Sequence, residues 1–172
     1  MTGHGSFTAD LIDADTIHCA FVRSPIAHGT FQPPSLDEAL AMPGVVAAYR
    51  ADSLNLPDLP SSQGHGAPEA IGMGQPALAR DRVRHVGEPI AVVVAESARE
   101  AVDAAEQVWV DFETLPAVTD VTTALEDRTI LFPVAGTNLV HDETVGSEGE
   151  APGYEVEAQV EIDVPRLSPV TI

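Results

Sequence analysis

The chain has one cysteine, Cys19, and no lysine. A single cysteine excludes an internal disulfide and any metal cage built from cysteine alone, and it suits a reducing, cytoplasmic compartment. Basic residues of any kind are scarce: eight arginines face 27 acids, for a formal charge of −19. Phosphate contacts need basic groups, so this balance argues against nucleic acid or an anionic membrane as a partner. No apolar run approaches the ~20 residues that span a bilayer. Residues 1–10 lack the basic stretch and apolar core of a signal peptide. The acidity itself reads as a solvated, self-repelling surface and names no cationic ligand.

What is present fits an ordinary globular core. A length of 172 residues supports one domain, or one domain plus a piece of another. The strongest periodicities lie in residues 78–116. Residues 90–95 are an unbroken, β-branched apolar run between Pro89 and Glu96, the pattern of a buried strand. Ser97 and Glu100 then form a capping box that opens a helix. Ala98, Ala101, Val102 and Ala105 fall on one stripe of it, with Arg99, Glu100, Asp103 and Glu106 on the wet side. Val108, Val110 and Phe112 alternate with Trp109, Asp111 and Glu113, the period of a second strand that Pro116 ends. A strand, a helix and a strand in this order predict a parallel, right-handed βαβ connection. Residues 82–86 form a short strand and Gly87-Glu88-Pro89 a turn, so residues 82–95 read as a hairpin feeding that unit.

An earlier strand–helix–strand unit is read from residues 17–50. Residues 17–23 form a strand that Ser24-Pro25 breaks, and residues 27–31 resume pairing. Ser35-Leu36-Asp37-Glu38 is a second capping box, opening a short helix that runs through Ala41 and stops at Pro43-Gly44. Residues 45–49 form the next strand. Residues 51–76, rich in proline and glycine, predict a long surface loop with one helical turn at residues 52–54. Residues 120–126 form another helical turn. From 129 to 165 there is no lysine or arginine and there are eight acids, which marks residues 129–153 as a linker. In residues 154–164, Tyr154, Val156, Ala158, Val160, Ile162 and Val164 share one face and mostly acids share the other. A lone amphipathic strand needs a sheet. Either it pairs back onto the first domain, or its sheet lies in other polypeptide.

No active site assembles from these residues. The histidines, His4, His18, His28, His65, His85 and His141, show no helical metal-site spacing and have no cysteine pair to assist them. His65, in Gln63-Gly64-His65-Gly66, is the sharpest candidate for a surface metal ligand. His18 and Cys19 are neighbours on a strand and so point to opposite faces, which disfavours a Cys–His nucleophile. Gly3 and Gly5 are too sparse for a phosphate cradle, and there is neither a Gly-x-Ser-x-Gly elbow nor a Walker loop.

Several segments nevertheless occur together in a recognisable order. These are GHGSFTADL from Gly3, FVRSPIAH from Phe21, AMPGV from Ala41, LARDRVRHVGE from Leu78, IAVVVAE from Ile90, and residues 101–116 followed by Ala117-Val118. Over about residues 2–128 they resemble the N-terminal α/β-hammerhead domain of molybdenum hydroxylase large subunits, the xanthine dehydrogenase, aldehyde oxidase and aerobic carbon monoxide dehydrogenase superfamily. Asn138, the acidic stretch and the strand at 154–164 resemble the start of the first molybdopterin-binding domain. Arg166-Leu167-Ser168-Pro169 resembles its Arg-x-x-Pro segment, with the chain stopping at Ile172 about where an acidic position follows.

The resemblance implies an α+β hammerhead fold, a mixed sheet with two strand–helix–strand units, followed by an incomplete second domain. The expected organisation is a hammerhead at 1–128, an acidic linker at 129–153 and the first strand of a truncated molybdopterin-binding domain at 154–172. It implies an oxidoreductase parent that hydroxylates a heteroaromatic, aldehyde or carbon monoxide substrate. Molybdopterin cytosine dinucleotide, 2Fe-2S clusters and FAD belong to the complete enzyme. Its partners are the remaining large-subunit domains, an iron–sulfur subunit and a flavin subunit. No residue of this chain matches a catalytic, cofactor-binding or metal-ligating position, so the chain reads as a non-catalytic scaffold. The alternatives are a stand-alone binding or assembly module, self-associating through residues 154–164, and a small metal-dependent enzyme using its histidines.

Overall fold

The computed structural model describes residues 7, 11, 13, 15–59, 72–140 and 142. The chain divides into two units, Met1–Asp142 and Glu143–Ile172, and all the described residues belong to the first. The expected strand at 154–164, the Arg166 segment and His65 lie outside the described residues.

The elements in chain order are β1 (His18–Arg23), β2 (Gly29–Phe31), α1 (Asp37–Leu40), β3 (Val45–Arg50), α2 (Ala51–Leu54), β4 (Arg82–Val83), β5 (Pro89–Ala95), α3 (Ala98–Ala105), β6 (Phe112–Thr114) and α4 (Val121–Leu125). They form the expected α+β architecture, with the strand–helix–strand units in the expected order. The strands make two three-stranded sheets, β1-β5-β3 and β4-β2-β6. The apolar run read as a buried strand is β5, at the centre of the first sheet. Its Ile90, Ala91, Val93 and Ala95 are buried.

The wiring differs from the expected parallel connection. β5 pairs antiparallel with both β1 and β3. With both of its edges occupied, no place beside it remains for the strand that follows α3. That strand, β6, pairs antiparallel with β2 in the other sheet instead. The same occupancy removes the predicted hairpin: β4 pairs with β2, not with β5. The turn before β5 is held by Ser24, whose N–H donates to Glu88 O at 2.9 Å and whose O accepts from Gly87 N at 2.8 Å. The second strand also begins later than its alternation suggests: its ladder with β2 starts at Phe112, and Val108 packs in the helix-side core instead.

One face of the first sheet is covered by α1 and α3. Ala39, Val93, Ala104 and Val108 form that core, with Val22, Leu36, Val45 and Ala48 packed around them. The stripe of α3 is rotated from the one read in sequence. Ala101 and Ala104 are buried, whereas Ala98 is exposed and Val102 is half exposed. A ridge of alanines lets the helix lie close to the sheet, and the bulkier valine is turned to solvent. Ser97 caps α3 as expected, accepting from Glu100 N at 3.3 Å. The Glu100 carboxylate accepts from the Ser97 hydroxyl at 2.7 Å. In α1 the cap falls one residue later than read: Leu36 is the N-cap, and Ser35 accepts from Asp37 N at 3.2 Å.

The second sheet packs Phe31, Ala79, Val83 and Ile90 together, with Ile26, Val110 and Phe112 against them. The Phe31 and Phe112 rings sit 5.9 Å apart in a tilted arrangement. Gly29 permits this pairing, since a Cβ there would stand 2.7 Å from Glu113 O on β6.

Gly44 joins the two strand–helix–strand units. Its φ is +73°, and a Cβ on it would lie within 2.3–2.5 Å of the Glu100 carboxylate. Its O also accepts from Glu96 N at 2.8 Å. Gly44→Ala is expected to cost about 1–2 kcal/mol for the left-handed backbone, and to displace Glu100 from Ser97. A lowered thermal midpoint with faster amide exchange at the start of α3 checks this.

Asp120 caps α4, accepting from Thr122 N at 2.7 Å and from the Thr123 hydroxyl at 2.6 Å. The Thr123 hydroxyl, then the Thr122 N–H, hold its carboxyl below the usual aspartate value. A carboxyl lowered on folding contributes stability above its unfolded pKa, and that contribution is lost as pH falls through the folded value. Asp120→Ala is therefore expected to speed amide exchange at Thr122 relative to wild type near neutral pH. The ratio should shrink toward one in acid.

Candidate functional site: the Arg82–Glu88 seam

The polar residues that the fold buries gather around β4. Strand alternation places Val83 in the core and sends Arg82 and Arg84 the other way. Arg82 reaches His28, with Nη1 3.1 Å from the imidazole Nε2. His28 is itself buried, and its Nδ1 lies 2.7 Å from Pro116 O. A carbonyl can only accept and a guanidinium can only donate, so the geometry assigns the proton to Nδ1 and the lone pair to Nε2. With both nitrogens engaged, His28 offers no free lone pair to a substrate. It ties the loop before β2 to the chain leaving β6.

Arg84 and Glu88 form the second half of the seam. Glu88 is buried, and its carboxylate accepts from the Arg84 backbone N–H and, at 3.4 Å, from Arg84 Nη1. Arg84 Nε donates to Leu131 O at 3.1 Å. The guanidinium stands 4.7 Å from the centre of the Phe132 ring. Residues 129–140, read above as the opening of the acidic linker, are thus anchored to the strands. Asn138 anchors them again: its Nδ2 donates to Ala124 O at 3.1 Å and Thr129 O at 2.8 Å, and its Oδ1 accepts from Leu131 N at 2.9 Å.

Two open clefts flank the seam. One, of about 200 Å³, is lined by Asp58, Arg80, Asp81, Arg84 and Phe132. Both of its arginines are already paired within the chain, since Arg80 bonds Asp58 and Arg84 bonds Glu88. The other, of about 210 Å³, is mostly apolar and is lined by Phe31, Pro33, Pro34, Ala79 and Ile90, with Arg50 and Arg80 at its sides.

The histidines do not converge. His28 lies in the seam, His85 is exposed with Nδ1 3.1 Å from Val86 O, and His18 is on β1. His4, His65 and His141 lie outside the described residues. Cys19 is exposed on β1. Among the described residues, no group of three or more His, Cys, Asp or Glu side chains is placed to hold a metal ion. No helix among them is long and apolar enough to cross a membrane. Sequence reading missed the seam. The one available signal was a glutamate directly before a fully apolar strand, where a charge needs a partner.

A family model described as aldehyde oxidase and xanthine dehydrogenase, a/b hammerhead domain, matches residues 2–116. The chain belongs to this hammerhead family. Its relatives are molybdenum hydroxylase large subunits, as the motifs implied. The nicotine 6-hydroxylase large subunit of Paenarthrobacter nicotinovorans is 33% identical over 88% of this chain and 18% of its own length. The xanthine dehydrogenase molybdenum-binding subunit of Escherichia coli O157:H7 is 30% identical over 95% of this chain and 23% of its own. A solved chain of quinoline 2-oxidoreductase from Pseudomonas putida 86 superposes with a TM-score of 0.64. It is 35% identical and covers 76% of this chain and 16% of its own length. The hammerhead chain thus spans less than a quarter of each of these relatives. The side chains of His28, Arg82, Arg84 and Glu88 fall inside the matched region, and the Leu131 and Phe132 partners of Arg84 lie beyond it.

Proposed function

We propose that this chain serves as the N-terminal scaffold domain of a molybdenum-dependent hydroxylase large subunit and is not catalytic by itself. The observation that carries the reading is the combination of a hammerhead match with polar groups that are spent on one another. His28, Arg82, Arg84 and Glu88 all bond within the chain. The described residues bring together no donor set that fits a molybdenum cofactor, and no step is assigned through one. In this reading the hammerhead occupies residues 1–128, an acidic linker 129–153, and the first strand of a molybdopterin-binding domain 154–172. The cofactors, molybdopterin cytosine dinucleotide, 2Fe-2S and FAD, reside in the other domains and in iron–sulfur and flavin subunits, in the cytoplasm.

Affinity purification from the native host tests this, with molybdenum and iron assayed on whatever co-elutes. Both metals arriving with larger partner chains are the expected result. A metal-free chain that elutes alone as a folded, monodisperse protein would overturn the scaffold role in favour of a stand-alone module.

A further inference from the structure

The chain leaving β6 is held in place as far as Pro116 and then changes character. Leu115 N donates to His28 O at 3.0 Å, and the buried His28 donates from Nδ1 to Pro116 O at 2.7 Å. Residues 117–119 belong to no helix or strand. From Asp120 to Leu139 the hydrogen bonds turn inward. Asp120 caps α4, and Asp127 N donates to Ala124 O at 3.2 Å. The Asp127 carboxylate accepts from the Thr137 hydroxyl and from Asn138 N, each at 2.7 Å. Asn138 bonds Ala124, Thr129 and Leu131, and Ala135 N donates to Phe132 O at 3.0 Å. α4 buries none of its residues, and its Val121 and Leu125 are exposed. Residues 120–139 are therefore a self-bonded body. Among the described residues, one hydrogen bond ties this body to the rest of the domain: Arg84 Nε to Leu131 O at 3.1 Å. The same guanidinium lies over the Phe132 ring. A second contact is steric. Gly72 has φ +86°, and a Cβ on it would stand 3.2 Å from Ala135 N and from Val134 Cγ1. Both contacts line the cleft of about 200 Å³, where Phe132, Pro133 and Val134 of this body meet Asp58, Arg80 and Asp81.

We propose that residues 120–139 are a hinged flap, latched by Arg84, that lifts from the domain as one body about residues 117–119 and uncovers this cleft. The inference does not depend on the scaffold reading. A segment opens at low free energy when few buried apolar contacts and few bonds hold it to the rest. Lifting this one breaks a single charge-assisted hydrogen bond, one ring contact and the packing on Gly72. The bonds at Asp120, Asp127 and Asn138 move with it. His28 keeps the root of the hinge fixed at Pro116. Arg84 stays bonded to Glu88 in both positions, so the latch opens without stranding a buried charge. Once lifted, the body has no core to hold it, and its amides exchange through that open state.

The test uses the 172-residue chain with two latch variants. Phe132→Ala removes the ring from the flap side. Arg84→Met/Glu88→Gln removes the guanidinium without leaving a bare carboxylate, so the test stands if either variant folds. Distance is read between nitroxides at Val46→Cys on β3 and Val121→Cys on α4, both exposed positions, in a Cys19→Ser background. Amide exchange is read at Ala124, Leu131, Ala135 and Asn138, and in β5 as the reference. The parent is expected to give one dominant distance. Each variant is expected to add a second, distinct distance and to speed the four flap amides by one common factor of roughly tenfold or more, with β5 unchanged. Faster exchange with the distance unmoved means that the segment melts in place, which overturns the flap. Faster exchange at 131–138 with Ala124 still protected overturns the single body and its hinge at 117–119. Equal acceleration in β5 makes the segment part of the cooperative core, with the same consequence. No change in either reading removes Arg84 and Phe132 as the latch and overturns the proposal.

Discussion

Ala101→Asp is expected to unfold the domain at temperatures where the parent chain is folded, whereas Val102→Asp leaves its melting midpoint nearly unchanged. Ala101 is fully buried on the ridge of α3 that faces the first sheet. A carboxylate there loses its water and gains no partner, and its extra atoms have no space. The combined cost is about 4 kcal/mol or more, against a typical domain stability of about 5–15 kcal/mol. Val102 is half exposed, so aspartate at that position stays in water. The pairing of the two variants is what makes the measurement decisive. A helix stripe of Ala98, Ala101, Val102 and Ala105 predicts that both collapse the fold. The observed rotation predicts that only one does. Circular dichroism melts of the two variants distinguish these outcomes, and equal losses would mean that α3 lies on the sheet as the sequence period alone suggests.

That contrast shows which features of the molecule were legible. The centre of the fold was, because six consecutive apolar residues at 90–95, rich in β-branched side chains and set between Pro89 and Glu96, read as a buried strand, and Ser97 marks the start of α3 through its own hydroxyl. Direction was not legible. An apolar run on both faces of a strand is the usual mark of a parallel sheet with helices on each side. Here the same run serves an antiparallel sheet that has helices on one side, while on the other Ile90 is buried in the core of the second sheet. Alternation from Val108 to Glu113 suggested a strand that Pro116 ends, yet ladder pairing begins only at Phe112, where Phe31 stands opposite. The helix phase failed for a different reason. Alanine is small enough to fit either side of a short helix, so the apolar stripe of α3 has two nearly equivalent registers. The seam was the least legible part. His28 meets partners 54 and 88 residues away, and no local spacing reports such a bond.

Arg84→Met is expected to destabilise the domain by about 3–5 kcal/mol, the range found when one partner of a buried ion pair is removed. The side chains of Arg84 and Glu88 are 15% and 6% exposed, so water can do little to screen the carboxylate left behind. Methionine keeps the length of the aliphatic stem and removes the guanidinium. The Arg84 backbone N–H still donates to Glu88, but the charge has no counterion. The substitution also frees Leu131 O and the face of Phe132. Two effects therefore separate by site. Global melting falls because of the stranded carboxylate, while amide exchange at residues 131–139 rises because the guanidinium no longer holds that segment. Arg84→Met/Glu88→Gln distinguishes them. A neutral amide can still accept from the backbone N–H, so the double variant should recover most of the melting midpoint but none of the protection at 131–139. Recovery of both would place the anchoring of that segment on Asn138, whose backbone N–H donates to the Asp127 carboxylate, with Arg84 a bystander. Recovery of neither would mean that the packing of the guanidinium against Phe132, and not the charge, is what the seam supplies to the fold.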